Sequence, residues 1–524
     1  MLRPRRTAAH PSLPGATLRT MSLVQDKHVK PTPAQQSPAV AATRRWRAVV
    51  IPASFAAAIL VYAVLPGDMG ELGRRAVAIA VFAAILWATE AVPLFAASLS
   101  VVGLEVLLLA HRGGGGGLAG TGTLSYARFF EPFASSTIIL FLGGFLLAAA
   151  VRKHGLDRAI ALRLVRPFVR HPNRLVLAVI LATGFLSVWI SNTATAAMML
   201  AVLGPLARAP ATPRRLASAL VLAVAFGASI GGFMTPVSTP PNAITISQLR
   251  AIGIEINFVE WVLMAAPLSV GMLVITGGLL CAVLRPAALP HSAEQAALAL
   301  GGDAGGADAA ARLSWRAWAT IVVILGAAAA WMSGSWHGVD DAAVALIAAT
   351  LLAVVGVLDR RDVRSIDWDV LLLMWGGLAL GNALHLTGVL EYVGGLPPLR
   401  HAEGWALALM VIAGGMVFAT FMSNTAAANI LVPLAIALSM GAAPGGGADA
   451  GTAPDGETLR SAARLAVLAG LTVSFAVSMP ISTPPNAMAY ATGLVSSRDM
   501  IRVGLLVSLI AVGVLMAGYL WILP

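Results

Sequence analysis

The chain runs to 524 residues, of which 58% are hydrophobic and only 11% charged, with a mean hydropathy of +0.83, which excludes a soluble protein because no core of this size hides so much apolar surface. The formal net charge of +11 lies in short loops and an N-terminal tail rather than on one aromatic-bearing face, which excludes nucleic acid as a partner and points to the lipid bilayer. A single cysteine, Cys281, excludes a disulfide framework and a Cys-based metal cluster.

In chain order, residues 1–45 carry Pro and Arg but no apolar stretch, so they read as a disordered basic tail and not as a secretory signal. Apolar runs then predict spans near 46–65, 75–90, 93–110, 131–151, 217–245, 261–284, 315–333, 342–358, 369–390, 461–490 and 500–523. Each approaches the roughly 20 residues that cross a bilayer at about 1.5 Å per residue. Barrel-type alternation is absent, so the expected fold is an all-α polytopic membrane protein of about eleven transmembrane helices. Two more apolar segments, 174–206 and 404–440, are each broken by a polar triplet and read as re-entrant hairpins.

With both hairpins in place and the N-terminus cytoplasmic, most of the 35 Lys and Arg residues fall inside, as the positive-inside rule requires. Arg163, Arg166, Arg170 and Arg174 precede the first hairpin and Arg208, Arg214 and Arg215 follow it, so it opens to the cytoplasm. The second lies between 391–403 and a Gly/Ala-rich 441–460, both poor in basic residues, so it opens to the outside. The C-terminus is then extracytoplasmic, an arrangement that fits a bacterial inner (plasma) membrane.

Two motifs occur twice in the same order. Ser191-Asn192-Thr193-Ala194 returns as Ser423-Asn424-Thr425-Ala426, and Ser238-Thr239-Pro240-Pro241-Asn242-Ala243 as Ser482-Thr483-Pro484-Pro485-Asn486-Ala487. The interval between motifs is longer in the second half, and the low-complexity 441–456 loop accounts for the excess. The chain therefore divides into the tail 1–45, a first span 46–73 outside the repeat, a repeat 74–284, a cytoplasmic linker 285–314 and a second repeat 315–523. An odd number of spans plus one hairpin per unit inserts the two copies upside down relative to each other.

A Pro-Pro step removes two backbone donors and bars helical geometry at the residue before it, so the spans 217–245 and 461–490 must break there. Irregular backbone at membrane depth survives only against protein or a polar cavity, and freed carbonyls are natural cation ligands, sodium being the simplest. The Ser-Asn-Thr triplets offer hydroxyl and amide donors beside a helix N-terminus, which suits an anion. Ser187 adds a hydroxyl one turn before Ser191, whereas the second copy has Ala419 there, so the two ion sites are unequal. One triplet alone reads equally well as an inter-helix hydrogen bond, and one Pro-Pro pair as a kink; duplication is what argues for a site.

Other features carry less. Glu90, Glu105 and Glu131 stand near span ends and read as interfacial or capping carboxylates, and His385 as a packed polar residue. Gly143-Gly144 and Gly376-Gly377, in matching spans, read as close helix packing. No Walker motif or nucleophile–base pair appears, which speaks against a pump or an enzyme. Neither hairpin nor break carries Asp or Glu, which disfavours a cation/proton antiporter.

With the twin Ser-Asn-Thr tips, the twin Thr-Pro-Pro-Asn breaks and the stretch Trp87-Ala88-Thr89-Glu90-Ala91-Val92-Pro93, the chain from 46 to 523 resembles the divalent anion:sodium symporters. That resemblance implies a homodimer whose transport part, with both hairpins, moves as a rigid elevator, carrying a dianion such as a dicarboxylate, tricarboxylate or sulfate. It implies substrate binding by Ser191, Asn192, Thr193, Ser423, Asn424 and Thr425, helped by Thr239, Pro240, Thr483 and Pro484. It implies one sodium site of Ser187, Ser191, Asn192 and the Ser238 carbonyl, and a second that includes Asn424 and the Ser482 carbonyl. Two departures stand out: Ala201 where proline is frequent, and Ala419-Thr420 where a Thr-Glu pair is common. The expected activity is sodium-coupled import of a C4-dicarboxylate such as succinate, with an anion exchanger, a proton-coupled carrier, or a sulfate or citrate transporter of the same architecture as the alternatives.

Overall fold

A computed structural model of the chain describes residues 38–110, 124–290, 314–394, 404–441 and 456–519. By its internal contacts the chain divides into residues 1–49 and 50–524. The described part of the first unit is the start of a helix, and most of the basic tail lies outside the described residues, as do most of the linker 285–314 and the loop 441–456.

The main helices are α1 Pro38–Val64, α2 Glu71–Thr89, α3 Leu94–Leu108, α4 Ser136–Lys153, α5 Leu156–Val165, α6 Pro172–Ser187, α7 Asn192–Arg208, α8 Arg214–Gly231, α9 Pro240–Ala251 and α10 Phe258–Leu284. They continue with α11 Trp315–Met332, α12 Asp341–Val354, α13 Trp368–Leu386, α14 Gly404–Thr420, α15 Asn424–Gly441, α16 Gly456–Ser474, α17 Pro484–Ala491 and α18 Ser497–Gly518. Among the described residues there is no β-strand. Starts follow local chemistry: Ser135, Ser314 and Ser496 cap α4, α11 and α18, and Asn257 with Glu260 forms a capping box on α10. Glu90 ends α2 in the left-handed region at φ 47, and Trp87 Nε1 donates to Ser98 Oγ at 3.2 Å, fixing the turn from α2 into α3.

Among the described residues, eight helical segments are long and apolar enough to cross a membrane, fewer than the spans read from the sequence. Helices α3 and α12 have 15 and 14 residues, which at about 1.5 Å each fall short of a core roughly 30 Å thick. The run 461–490 is not one helix but α16, an irregular stretch and α17, and 217–245 is likewise α8, an irregular stretch and α9.

From α2 to α10 the order of helices recurs from α11 to α18, with the short turn Val389–Gly394 in the place of α5. The matching elements pack crosswise. A Cβ on Gly143 of α4 would lie 2.6 Å from Ala345 Cβ on α12, and one on Gly376 of α13 would lie 2.4 Å from Ser98 Cβ on α3. Each glycine lets its helix approach a helix of the other half, as expected from the glycine pairs, although the sequence did not disclose the partner. The core of this unit is formed by α8 and α16. Leu216 to Gly231 are buried throughout, as are Ala462, Ala463 and Leu465 to Ser474. Helices α6, α7, α10 and α17 surround α8, and α9, α14, α15 and α18 surround α16.

Candidate functional site

Both polar triplets stand where a helix stops and another starts. At the first tip α6 ends at Ser187 and α7 begins at Asn192, with Ser191 Oγ accepting from Ala194 N at 3.4 Å as its cap. At the second tip α14 ends at Thr420 and α15 begins at Asn424, with Ser423 Oγ accepting from Ala426 N at 3.3 Å. In each pair the two arms pack on each other.

Downstream, the prolines do not sit in the middle of the irregular stretch. Pro240 and Pro241, like Pro484 and Pro485, open the next helix, where a missing N–H costs nothing, and Thr239 and Thr483 before them are extended. The irregular residues are therefore 232–239 and 475–483, upstream of the prolines. The two stretches meet: the buried rings of Phe233 and Phe475 lie edge to face with centroids 4.6 Å apart, and Ser229 Oγ donates to Thr483 Oγ1 at 3.4 Å. Thr235 Oγ1 donates to Val188 O at 2.8 Å, tying the first stretch to the first tip.

Several of the carbonyls freed by the breaks are taken by the protein itself. Asn242 Nδ2 donates to Thr235 O at 2.7 Å and Gly232 O at 3.3 Å, and Asn486 Nδ2 to Val477 O at 2.8 Å and Met479 O at 3.0 Å. Trp261 Nε1 holds Phe233 O and Ser269 Oγ holds Ile230 O, while Ser508 Oγ holds Phe475 O. Ser238 Oγ donates to Gly232 O and Ser482 Oγ to Met479 O. The Ser238 and Ser482 carbonyls are not among the oxygens so consumed.

Orphaned acceptors remain. Asn242 Oδ1, Asn424 Oδ1 and Asn486 Oδ1 are buried with no hydrogen-bond partner, as is Thr472 Oγ1 on α16. At the first tip the counterpart has a donor: the single proton of Ser187 Oγ is shared between Asn192 Oδ1 and Ala228 O, each at 2.8 Å. Gly232 makes room for that amide, since a Cβ there would lie 1.9 Å from Asn192 Oδ1. Of the remaining expected site residues, Thr193 and Pro484 are exposed, Thr425 and Pro240 are half-buried, and Thr239 and Thr483 are buried.

Sequence reasoning passed over four residues. Asn242 and Asn486 pin the breaks, and their signal was present in the duplicated Pro-Pro-Asn. Asn429 is fully buried with neither amide atom partnered, against Gly377, where a Cβ would lie 1.9 Å from its Oδ1. Asp367, just before α13, accepts from Ser191 Oγ at 3.4 Å; burial pushes its carboxyl above the usual range, and Arg152 partly offsets this. Glu105, read as a span-end carboxylate, is instead fully buried in α3 with both oxygens unpartnered, because it falls on the face that carries Ser98, Val101 and Val102. Glu131 does stand at a helix start, exposed and 3.8 Å from Arg128.

A family model described as citrate transporter matches residues 84–456 and 336–524. The chain is similar to the sodium-dependent dicarboxylate transporter SdcS of Staphylococcus saprophyticus, with 27% identity over 88% of this chain and 88% of that protein. It is similar to an uncharacterized transporter of Haemophilus influenzae, with 30% identity over 85% of this chain and 91% of that protein. The solved antimetabolite efflux pump MtrF of Neisseria gonorrhoeae aligns over 81% of this chain and 93% of its own, with 14% identity and a TM-score of 0.49.

Proposed function

The chain belongs to the citrate transporter family of integral membrane carriers, and from that membership we propose that it couples sodium to the import of a small dicarboxylate such as succinate. The observation that carries the proposal is the set of buried amide oxygens with no donor, Asn242, Asn424 and Asn486. An unpaired buried acceptor costs about 1–3 kcal/mol, and a hard cation with oxygen ligands relieves it. The Ser238 and Ser482 carbonyls, Ser187, Ser191, Asn192 and Asn424 complete the two sodium sites. The substrate carboxylates take Ser191, Asn192, Thr193, Ser423, Asn424 and Thr425, with Thr239, Pro240, Thr483 and Pro484 behind them. No Lys, Arg or His bonds to either tip among the described residues, so bound sodium supplies the charge a dianion needs. By linkage the anion then raises sodium affinity by the same factor.

In this reading the two halves insert upside down, the hairpins re-enter from opposite faces, and two copies of the chain form a dimer within which the hairpin-bearing parts move as elevators. The N-terminus is cytoplasmic and the C-terminus outside, in a bacterial inner membrane. The name of the Staphylococcus relative supports sodium and a dicarboxylate. The test is uptake of labelled succinate into proteoliposomes with and without an inward sodium gradient, with citrate and sulfate as competitors. We expect uptake to depend on the gradient. Equal uptake in choline and sodium would replace this reading with an exchanger or proton-coupled carrier, which Ala419, lacking the hydroxyl of Ser187, specifically favours.

A further inference from the structure

Asp367 occupies the N-cap position of α13 yet makes no side-chain bond to its own helix. A structural N-cap would accept from the amides two or three residues on, as Ser135 does for Ile138 on the matching helix α4. Instead Oδ2 of Asp367 reaches Ser191 Oγ on the first tip, 176 residues away in the chain, at 3.4 Å. That is the long end of a hydrogen bond, so the contact is weak and readily exchanged. Aligning Gly143-Gly144 with Gly376-Gly377 puts Ala134 in the place of Asp367 in the first half, so the matching position there carries no carboxylate.

The charged neighbours of Asp367 are Arg152 near the end of α4 and Asp369 in the first turn of α13. The next cation along α4, Lys153, is engaged by Asp359 at 2.9 Å and Asp362 at 2.6 Å. What Ser191 donates to is therefore an aspartate carboxylate, the same chemical group that a dicarboxylate presents, held by a side chain of the protein. We propose that Asp367 is a built-in competitor for the anion, contending with one substrate carboxylate for the Ser191 hydroxyl and repelling the dianion until displaced. The inference rests on the reading of the first tip as an anion site. Its consequence is a lower anion affinity than the tip would have without that carboxylate, and a site that empties more readily on the side where Asp367 stands.

The test measures succinate dissociation constants for the purified full chain and for Asp367→Asn, in saturating sodium, at a pH of about 8. Thermal unfolding verifies that the isosteric variant folds. The ratio of the two constants cancels the protonation of succinate itself, which both proteins experience alike. At pH 8 the variant is expected to bind about threefold to tenfold more tightly. Equal affinities at pH 8 would overturn the competition and leave the transport reading intact. Weaker binding by the variant with a higher half-saturating sodium concentration would make Asp367 a cation ligand instead, and also overturn it. Failure of both proteins to bind succinate would sink the transport reading, and the competition with it.

Discussion

At the first tip the Asn192 amide oxygen accepts from Ser187, and Gly232 leaves space for it; at the second tip Ala419 stands in the place of Ser187, Ala476 in the place of Gly232, and the Asn424 amide oxygen has no donor. One triplet, used twice, thus sits in two different environments. The first tip meets its amide oxygen from within the protein, although Asn242 Oδ1 at the first break has no donor. The second keeps an unmet acceptor, and so depends more on what binds there. Duplication of a motif does not imply equal sites, because the residues that satisfy it belong to the neighbouring helices and have diverged.

The largest effect that can break the comparison is all-or-none. If the hairpins enter from opposite faces, a cysteine placed at Gly446 in a Cys281→Ser background reacts with an impermeant reagent in intact cells, whereas one placed at Arg170 reacts only after permeabilisation. Labelling of both from one side would cancel the inverted arrangement. Next in size are Asn192→Ala and Asn424→Ala, each expected to cost about tenfold to more than a hundredfold in succinate affinity through loss of a charge-assisted hydrogen bond. Their stabilities should part: Asn192→Ala removes one of two acceptors that share the Ser187 proton and loses at most about 1 kcal/mol, while Asn424→Ala removes an orphaned acceptor and loses none. Differential scanning of the two purified variants decides that point, and identical shifts would erase the distinction drawn between the tips.

A smaller effect is expected for Gly232→Ala, whose Cβ would collide with Asn192 Oδ1. Overpacking of this kind costs roughly 1–3 kcal/mol, and it should reach transport through the first site. The mirror change, Ala476→Gly, should cost less than about 1 kcal/mol and leave transport near normal. Smallest is Ala419→Ser, which places a hydroxyl where Ser187 has one. We expect a severalfold drop in the sodium concentration for half-maximal uptake, and a rise would mean that the second site is built on other oxygens.

Local features were the most legible in the sequence. The breaks followed from Pro-Pro, because proline geometry is decided within two residues; their extent upstream to Gly232 and Phe475 was not, because it depends on Trp261, Ser269 and Ser508 reaching in from α10 and α18. Ser187 was found from its spacing of one helical turn, whereas Asp367 could not be, since only the packing of α13 brings it to Ser191. Glu105 was misread for a related reason. Its place near the end of an apolar run said interface, and the neighbours of α3 made it interior.

The crosswise glycine contacts bear on how the chain is made. Gly143 exists to meet Ala345, and Ser98 to meet Gly376, so each half is finished by a helix encoded in the other. During synthesis the ribosome releases α4 some 200 residues before α12, and its glycine face has no permanent neighbour in that interval. The first half is therefore an unfinished object as it leaves the insertion machinery. Expressed as two separate polypeptides, the halves should need to be present together before either resists proteolysis.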